Sequence, residues 1–278
     1  MLVLALDTTT RPGSIALVRG DEVLSVASGD AAKTHAERLP TEIVRLLSDR
    51  RLDVTAIDAF AVAAGPGSFT GLRIGIATIQ GLAFALNRRV VAVSSLDALA
   101  RIAADSVGRL PALVAAWMDA QRSEVFAALY RVSDTARPSM QPPRRRFAPG
   151  RREPGQSGRG EPVEPRGPKS EVCAFDVVDG PVCERPAVVL DRWRQIAVGR
   201  PIWMAGDGVV RYGQLLVEGF RAVERLPPLA PVIGRIAVRE AAAGRAVAPH
   251  AVRPIYVRRP DAELARDRRK APVDHGQS

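Results

Sequence analysis

The sequence is poor in the residues that build metal sites and disulfide frameworks. Among its 278 residues are two cysteines, Cys173 and Cys183, and three histidines, His35, His250 and His275. Two thiols exclude a disulfide scaffold and a four-cysteine zinc site, and no two histidines have the close spacing of a zinc-binding helix. A chain of this length buries about three quarters of its unfolded surface when it folds, so it needs neither disulfides nor a structural metal ion. We expect both thiols to be reduced packing residues.

Long apolar runs are also absent. Residues 1–6 are apolar, but the run stops at Asp7, lacks a charged lead-in and is too short for a secretory signal. No uncharged apolar run reaches the ~20 residues that cross a bilayer. We therefore expect a cytoplasmic protein that has no membrane partner.

Positive charge is present in excess, and it is concentrated in one segment. The net charge is +10, and residues 137–170 hold nine Lys or Arg, three Glu, eight Pro and five Gly. Such a composition cannot bury enough apolar surface to offset the entropy of ordering, so we predict a disordered loop. The segment is either a tolerated surface insertion, which we favour, or an arm that attracts the phosphates of RNA.

Strand and helix signals alternate through most of the chain, which predicts an α/β fold. An early hairpin-like run adds antiparallel strands to its sheet. Thr34 and Glu37 have the spacing of a capping box and predict a helix, which Pro40 should kink or delay. The predicted strands cover 2–6, 14–18, 22–27, 58–64, 90–93, 112–118, 124–130, 172–178 and 201–205, and the later helices cover 95–104, 188–198, 209–217 and 232–243, with an extended piece at 254–257.

Both halves of the chain begin with a strand that ends in aspartate, at Asp7 and Asp119. Asp7, Thr8 and Thr9 could hold phosphate oxygens and a magnesium ion, or they could be ordinary turn residues. Asp119 could form a polar cluster with Arg122 and Glu124, although a structural ion pair accounts for the same residues.

Two glycine-rich turns join strands to helices. Residues 65–71 place backbone donors at a helix start, as a phosphate cradle does, but they fit neither the Walker nor the dinucleotide pattern. Glycines that permit a tight turn and close helix packing explain the loop equally well. Gly206 and Gly208 could let an adenine or ribose approach the backbone, or they could form an ordinary turn.

The helix that starts near Thr34 and the helix that follows the glycine loop are both amphipathic. Their apolar stripes either face the protein's own sheet or form a subunit interface. His35 lies in the first turn of the earlier helix, where we expect it to face solvent or a partner. The candidate interface residues are Leu39, Ile43, Leu72, Ile76, Ile79 and Ala83.

Three segments together resemble the TsaB family of accessory proteins for bacterial threonylcarbamoyladenosine modification of tRNA. They are LALDTT at 4–9, GPGSFTGLRIG at 65–75 and PIYVR at 254–258. The glycine-rich segment is specific to this family and, in looser form, to its catalytic paralogue TsaD. The resemblance covers nearly the whole chain outside 137–170, and this insertion departs from the family pattern.

The resemblance implies an actin-like ATPase (ASKHA) fold of two related α/β lobes. It also implies that the two amphipathic helices bind TsaD, which transfers the threonylcarbamoyl group to adenosine 37 of tRNA, and that the ATPase TsaE joins the assembly. The chain would then meet tRNA mainly through the complex. A homodimer of the free chain is left open.

The resemblance also separates this chain from the transferase. Ser95 and Leu99 stand where TsaD has its metal-binding His-x-x-x-His pair, and leucine cannot bind a metal. We therefore expect a non-catalytic subunit that activates TsaD and has no catalytic metal. A vestigial nucleotide site at Asp7, Thr8, Thr9, Gly206 and Gly208 is left open, with ATP or ADP as its ligand.

We predict an N-terminal lobe over 1–105 that contains the partner-binding helices. A second lobe covers 106–230 and includes the insertion, and a C-terminal helix and tail cover 231–278. Two alternatives to the accessory role remain at this point. One is an ATP-dependent phosphotransferase of the sugar-kinase type, and the other is direct RNA binding through the insertion.

Overall fold

The first of two five-stranded sheets is built around the buried strand that opens the sequence. The computed structural model describes residues 1–134 and 173–258. In this sheet the strand order is β3-β2-β1-β4-β5, with β1 antiparallel to β2 and parallel to β4. Its strands are β1 (Leu2–Asp7), β2 (Ser14–Arg19), β3 (Glu22–Ser28), β4 (Ala59–Gly65) and β5 (Arg89–Ser94).

The second sheet repeats the arrangement of the first. Its order is β10-β9-β6-β7-β8, with β6 antiparallel to β7 and parallel to β9. Each lobe thus has an antiparallel meander followed by two parallel strands, and the first strand of each is central. The strands are β6 (Ala112–Asp119), β7 (Val125–Asp134), β8 (Cys173–Glu184), β9 (Ile202–Ala205) and β10 (Phe220–Ala222). The prediction of a two-lobed α/β fold of the ASKHA type is confirmed.

Helices cover both faces of the first sheet. They are α1 (His35–Ser48), α2 (Phe69–Ala85), α3 (Ser95–Asp105) and α6 (Ala230–Ala242), whereas α4 (Pro186–Ala197) and α5 (Asp207–Tyr212) pack against the second sheet. Helices α1 and α2 pack on the face that presents Leu4 and Leu6, whereas α3 and α6 pack on the face that presents Val3 and Ala5. Helix α3 also packs against β6 and β9, so it joins the two lobes through apolar contacts.

Local signals fix where α1 begins. The Glu37 N–H donates to Oγ1 of Thr34, and the Thr34 N–H donates to the Glu37 carboxylate at 2.8 Å, which completes the predicted capping box. The helix therefore starts at His35, and the prediction that Pro40 would delay it is wrong. Proline removes one backbone donor in the helix interior, but the cap and the buried side of the helix outweigh that loss.

Two elements differ from the prediction. The helix expected over 209–217 ends at Tyr212, and a 3₁₀ turn follows at Gly213–Leu215. The short strand β10 was not predicted. The piece predicted to be extended, at 254–257, lies outside the helices and strands. The insertion predicted at 137–170 and the tail after 258 lie outside the described residues, and the predicted division into domains stays a prediction.

Candidate functional site

A cleft of about 840 Å³ lies where the carboxyl ends of β1 and β6 meet. The first lobe contributes the β1–β2 turn, the segment before α1 and the glycine loop, and the second lobe contributes the β6–β7 turn and the start of α5. Its polar lining includes Thr9, Thr10, Arg11, Lys33, His35, Ser68, Thr70, Asp119, Gln121, Asp207 and Arg258. This is the place where the two predicted Asp turns should meet, because corresponding strands of the two lobes end there.

Asp7 is sealed beneath the cleft and does not line it. Its carboxylate accepts hydrogen bonds from the Thr9 N–H at 2.8 Å, from Thr9 Oγ1 at 2.6 Å and from Thr10 Oγ1 at 3.0 Å. Burial raises the pKa of Asp7, and these hydrogen bonds counteract that shift. Asp7 therefore stabilises the turn, and its oxygens face threonines of the same turn.

The glycine loop packs directly on that turn. The Ser68 N–H donates to the Thr9 carbonyl oxygen at 3.0 Å. A Cβ at Gly71 would overlap the Thr8 carbonyl oxygen, and a Cβ at Gly75 would overlap Thr8 Oγ1. Of the two interpretations of this loop, the geometry favours close helix packing, because the faces of these glycines are already filled.

The β6–β7 turn carries backbone strain that the sequence did not indicate. Gln121, Arg122 and Ser123 are successive non-glycine residues with φ of 62°, 54° and 60°. Left-handed backbone of this kind is unfavourable for residues that carry a Cβ. Asp119 supports the turn, since its carboxylate accepts from the Gln121 N–H at 3.0 Å and from Gln121 Nε2 at 2.9 Å.

Asp119 also connects the turn to α5. The hydroxyl of Tyr212 donates to Asp119 Oδ1 at 3.2 Å, and the Arg211 guanidinium lies 3.3 Å from Oδ2. The Asp119 N–H donates to Asp207 Oδ1 at 3.0 Å, while burial raises the pKa of Asp207. The predicted cluster of Asp119 with Glu124 is therefore divided, because Glu124 pairs with Arg258 at 2.8 Å.

Gly206 and Gly208 allow α5 to start against the end of β6. A Cβ at Gly206 would overlap the Trp117 carbonyl oxygen, and a Cβ at Gly208 would lie 2.7 Å from Trp117 Cδ1. Of the five candidate nucleotide residues, the cleft lining includes Thr9 alone among its described residues. A nucleotide site stays a prediction, and close packing accounts for both glycines.

His35 is half-buried and faces the cleft beside a buried arginine. Its Nδ1 lies 2.6 Å from the guanidinium of Arg38, which also bonds Glu42 at 2.6 Å and the carbonyl oxygen of Pro12. Burial and the nearby Arg38 charge lower the pKa of His35. The sequence analysis did not identify Arg38, because the apolar periodicity of a helix does not indicate which charged side chains are buried against the rest of the protein.

The side chains predicted at a partner interface are interior in the structure. None is more than 6% exposed, and all but Leu72 belong to the apolar cluster on one face of the first sheet, while Leu72 lies beside Gly65 at the end of β4. They are Leu39, Ile43, Leu72, Ile76, Ile79 and Ala83. The prediction that they form a partner interface is therefore wrong. They are core residues, because the predicted stripes are the sides of α1 and α2 that face their own sheet.

The remaining predictions concern metal ligands and thiols. Ser95 and Leu99 are buried in α3. Within residues 1–134 and 173–258, no group of three His, Cys, Asp or Glu side chains could hold a metal ion. Cys173 and Cys183 form no disulfide within the described residues, and both pack against the core, as predicted. Burial and the neighbouring Glu124 carboxylate raise the pKa of Cys183 to about 11. No helix of the described chain is long and apolar enough to span a membrane.

Sequence comparisons place this chain near two named groups of proteins. The family described as "TsaD: tRNA N6-adenosine threonylcarbamoyltransferase" matches residues 26–144. The tRNA threonylcarbamoyladenosine biosynthesis protein TsaB of Haemophilus influenzae is 38% identical over 126 residues, which are 45% of this chain and 52% of that protein. The Bacillus subtilis protein of the same name is 36% identical over 131 residues, 47% of this chain and 55% of that protein. This chain thus spans about half the length of the curated relatives that it matches.

The structural comparison extends over both lobes. The structure of YeaZ from Pseudomonas aeruginosa is 27% identical, with a TM-score of 0.66, and the match covers 92% of this chain and 99% of that one. Its coverage therefore includes the second lobe, whereas the matches to the two curated relatives cover less than half of this chain. In sequence the chain is thus similar to proteins named TsaB over less than half of its own length, and in fold it is similar to YeaZ over both lobes.

Proposed function

We propose that this chain is a non-catalytic subunit that binds a TsaD-type paralogue and supports threonylcarbamoyl transfer to adenosine 37 of tRNA in the cytoplasm. The observation that carries this proposal is the match to YeaZ over 99% of that chain, together with the relatives named as TsaB. Ser95 and Leu99 support the accessory role, because the resemblance places them where the paralogue has its metal-binding pair, and both side chains are buried.

The outward sides of α1 and α2 are the surface that we assign to the partner. The two helices lie side by side on one face of the first sheet. On α2, Phe84 is 82% exposed, and on α1, Val44 is 64% exposed. Ala77 and Gly81 lie along the outward side of α2. Both are small and exposed, so a partner helix could approach closely there.

Activation would then operate through conformation. A subunit without catalytic groups can raise the activity of its partner when it binds the active conformation more tightly than the inactive one. TsaE would join the same assembly, and tRNA would contact this chain mainly through the complex.

The test is a reconstituted modification reaction that contains TsaD, TsaE and the enzyme that forms the threonylcarbamoyl adenylate, with and without this chain. Modified adenosine is measured by mass spectrometry of digested tRNA. We expect product to form only when this chain is present. Equal product in both reactions would contradict the proposal.

A further inference from the structure

A short segment near the end of the described chain crosses from the first lobe to the second along the cleft. We call residues 254–258 the strap. The Ile255 N–H donates to the carbonyl oxygen of Ala64 at 2.6 Å, at the end of β4. Four residues of the strap, from Ile255 onward, line the cleft. The family motif PIYVR therefore occupies a position that touches both lobes.

The strap is held on the first lobe by stacked side chains. The ring of Tyr256 lies 5.7 Å from the ring of Phe69, with 30° between their planes. The guanidinium of Arg73 lies over the Phe69 ring, 4.0 Å from its centroid. Phe69 and Arg73 belong to the first turns of α2, so the strap is stacked on the helix whose later turns present Phe84 to solvent.

The strap is held on the second lobe by a charged pair. Arg258 donates to Glu124 Oε2 at 2.8 Å, at the point where the strained β6–β7 turn enters β7. Its guanidinium also lies 6.0 Å from the ring centroid of Phe126. A hydrogen bond between two ionised groups is shorter and stronger than a neutral one, and partial burial reduces its screening.

We propose that the strap sets the opening of the cleft and links it to the outward side of α2. Two of the connections between the lobes within the described residues differ in kind. Helix α3 joins them through apolar packing, which holds them together, whereas the strap joins them along the cleft. Removal of the strap contacts should therefore leave both lobes folded and attached, but free to change their separation.

The link to α2 passes through the stack. A partner that covers the first turns of α2 would restrict Arg73, hence Phe69 and Tyr256, and the strap would transmit that restraint to Glu124. This second half of the proposal rests on the proposed function. The control of the opening does not, since it concerns the isolated chain.

Distances between spin labels on the two lobes test the opening. Labels at S48C on α1 and Q195C on α4 report the separation in the isolated chain, in a background that carries C173S and C183S. We expect one narrow distance distribution in this parent. The double variant Y256A/R258A should broaden and shift it, whereas R253A, at an exposed position just before the strap, should leave it unchanged. A distribution that stays the same in Y256A/R258A would overturn the proposal.

Milder variants keep the test decisive if Y256A/R258A fails to fold. E124Q removes one charge from the pair and keeps its shape, so exchange of the Ile255 amide should become about threefold to tenfold faster. Y256F keeps the stacked ring, so its Ile255 amide should exchange at the wild-type rate. R73A should also accelerate this exchange, and an unchanged rate in R73A would show that α2 is not linked to the strap. Because all these measurements use the isolated chain, they can succeed or fail independently of the modification reaction.

Discussion

Gly71 of α2 lies with its Cα against the backbone of Thr8, so closely that a Cβ at residue 71 would overlap the Thr8 carbonyl oxygen. The hydrogen bond from the Ser68 N–H to Thr9 holds the same two segments together. The position of α2 relative to the cleft therefore depends on the absence of a side chain at residue 71.

Replacement of Gly71 by alanine should destabilise the chain. The new methyl group meets a backbone oxygen that cannot turn aside, so we expect the free energy of unfolding to fall by roughly 2 kcal/mol. Gly81 is the matched control on the same helix, because a Cβ there meets nothing within 4 Å. Gly81→Ala should raise stability by about 0.5–1 kcal/mol through helix propensity. Urea denaturation measures both, and equal effects of the two substitutions would contradict the packing argument.

Arg38→Ala should lower the free energy of unfolding more than the substitution of an exposed arginine on the same helix does. The guanidinium is buried between Glu42, His35 and the Pro12 carbonyl group. Removal of one member of a buried charged group leaves the others without a partner, which costs about 3 kcal/mol. Arg45→Ala, on the exposed side of α1, should change the free energy of unfolding by less than about 0.5 kcal/mol. Similar urea midpoints for the two variants would exclude the buried network as a source of stability.

Asp7 should give stability a distinctive pH dependence. Burial raises its pKa above the ordinary 3.8, so the folded chain binds the proton more tightly than the unfolded chain. The stabilisation from this proton is complete below 3.8 and is lost as the pH rises through the folded pKa. Asp7→Asn does not titrate, so the stability of the variant relative to wild type should rise with pH over that interval.

Asp53 supplies a control of opposite sign for this measurement. Hydrogen bonds from Thr55 lower the pKa of Asp53, so its stabilising contribution is present above the ordinary pKa and is lost as the pH falls. The stability of Asp53→Asn relative to wild type should therefore decrease as the pH rises. Chemical denaturation at a series of pH values measures both trends, and parallel curves for the two variants would refute the assignment.

Substitutions on the outward sides of α1 and α2 should separate binding from folding. Phe84→Arg and Val44→Arg place a charge on exposed positions, so the fold should remain intact while affinity for the proposed TsaD-type partner falls at least about tenfold. Val210→Arg, on α5 of the second lobe, introduces the same charge at a position that is 86% exposed and should bind as wild type does. Calorimetric titration with the partner gives the affinities. Wild-type affinity in both helix variants would place the partner elsewhere.

Local signals were sufficient for much of the fold. The capping box at Thr34 and Glu37 fixed the start of α1 against the opposing signal of Pro40, and the buried runs at 2–6 and 58–64 predicted β1 and β4. The aspartates that end β1 and β6 were recognised as candidate site residues, and the cleft lies where these two strands end, although Asp7 itself is sealed beneath it. These features lie within a few residues of chain, where spacing alone carries the information.

The remaining features depend on contacts between distant segments. Periodicity identified the apolar sides of α1 and α2, but it could not say whether Ile43 or Ile76 faced a sheet or a partner. The contact of Gly71 with Thr8 and the pairing of Arg258 with Glu124 join residues far apart in sequence. The three residues of β10 are too few for an alternating pattern, and Gly213 ends α5 before the apolar run that follows it.

Asp134 and Cys173 are paired in the ladder between β7 and β8, so the chain leaves the sheet and returns to it at neighbouring points. These two positions are therefore fixed next to each other by the hydrogen bonds of the second sheet, whatever number of residues separates them in sequence. Because the entropy of closing a chain between two such points rises by only about 0.6 kcal/mol for each doubling of that number, a change in it should have little effect on the stability of the sheet.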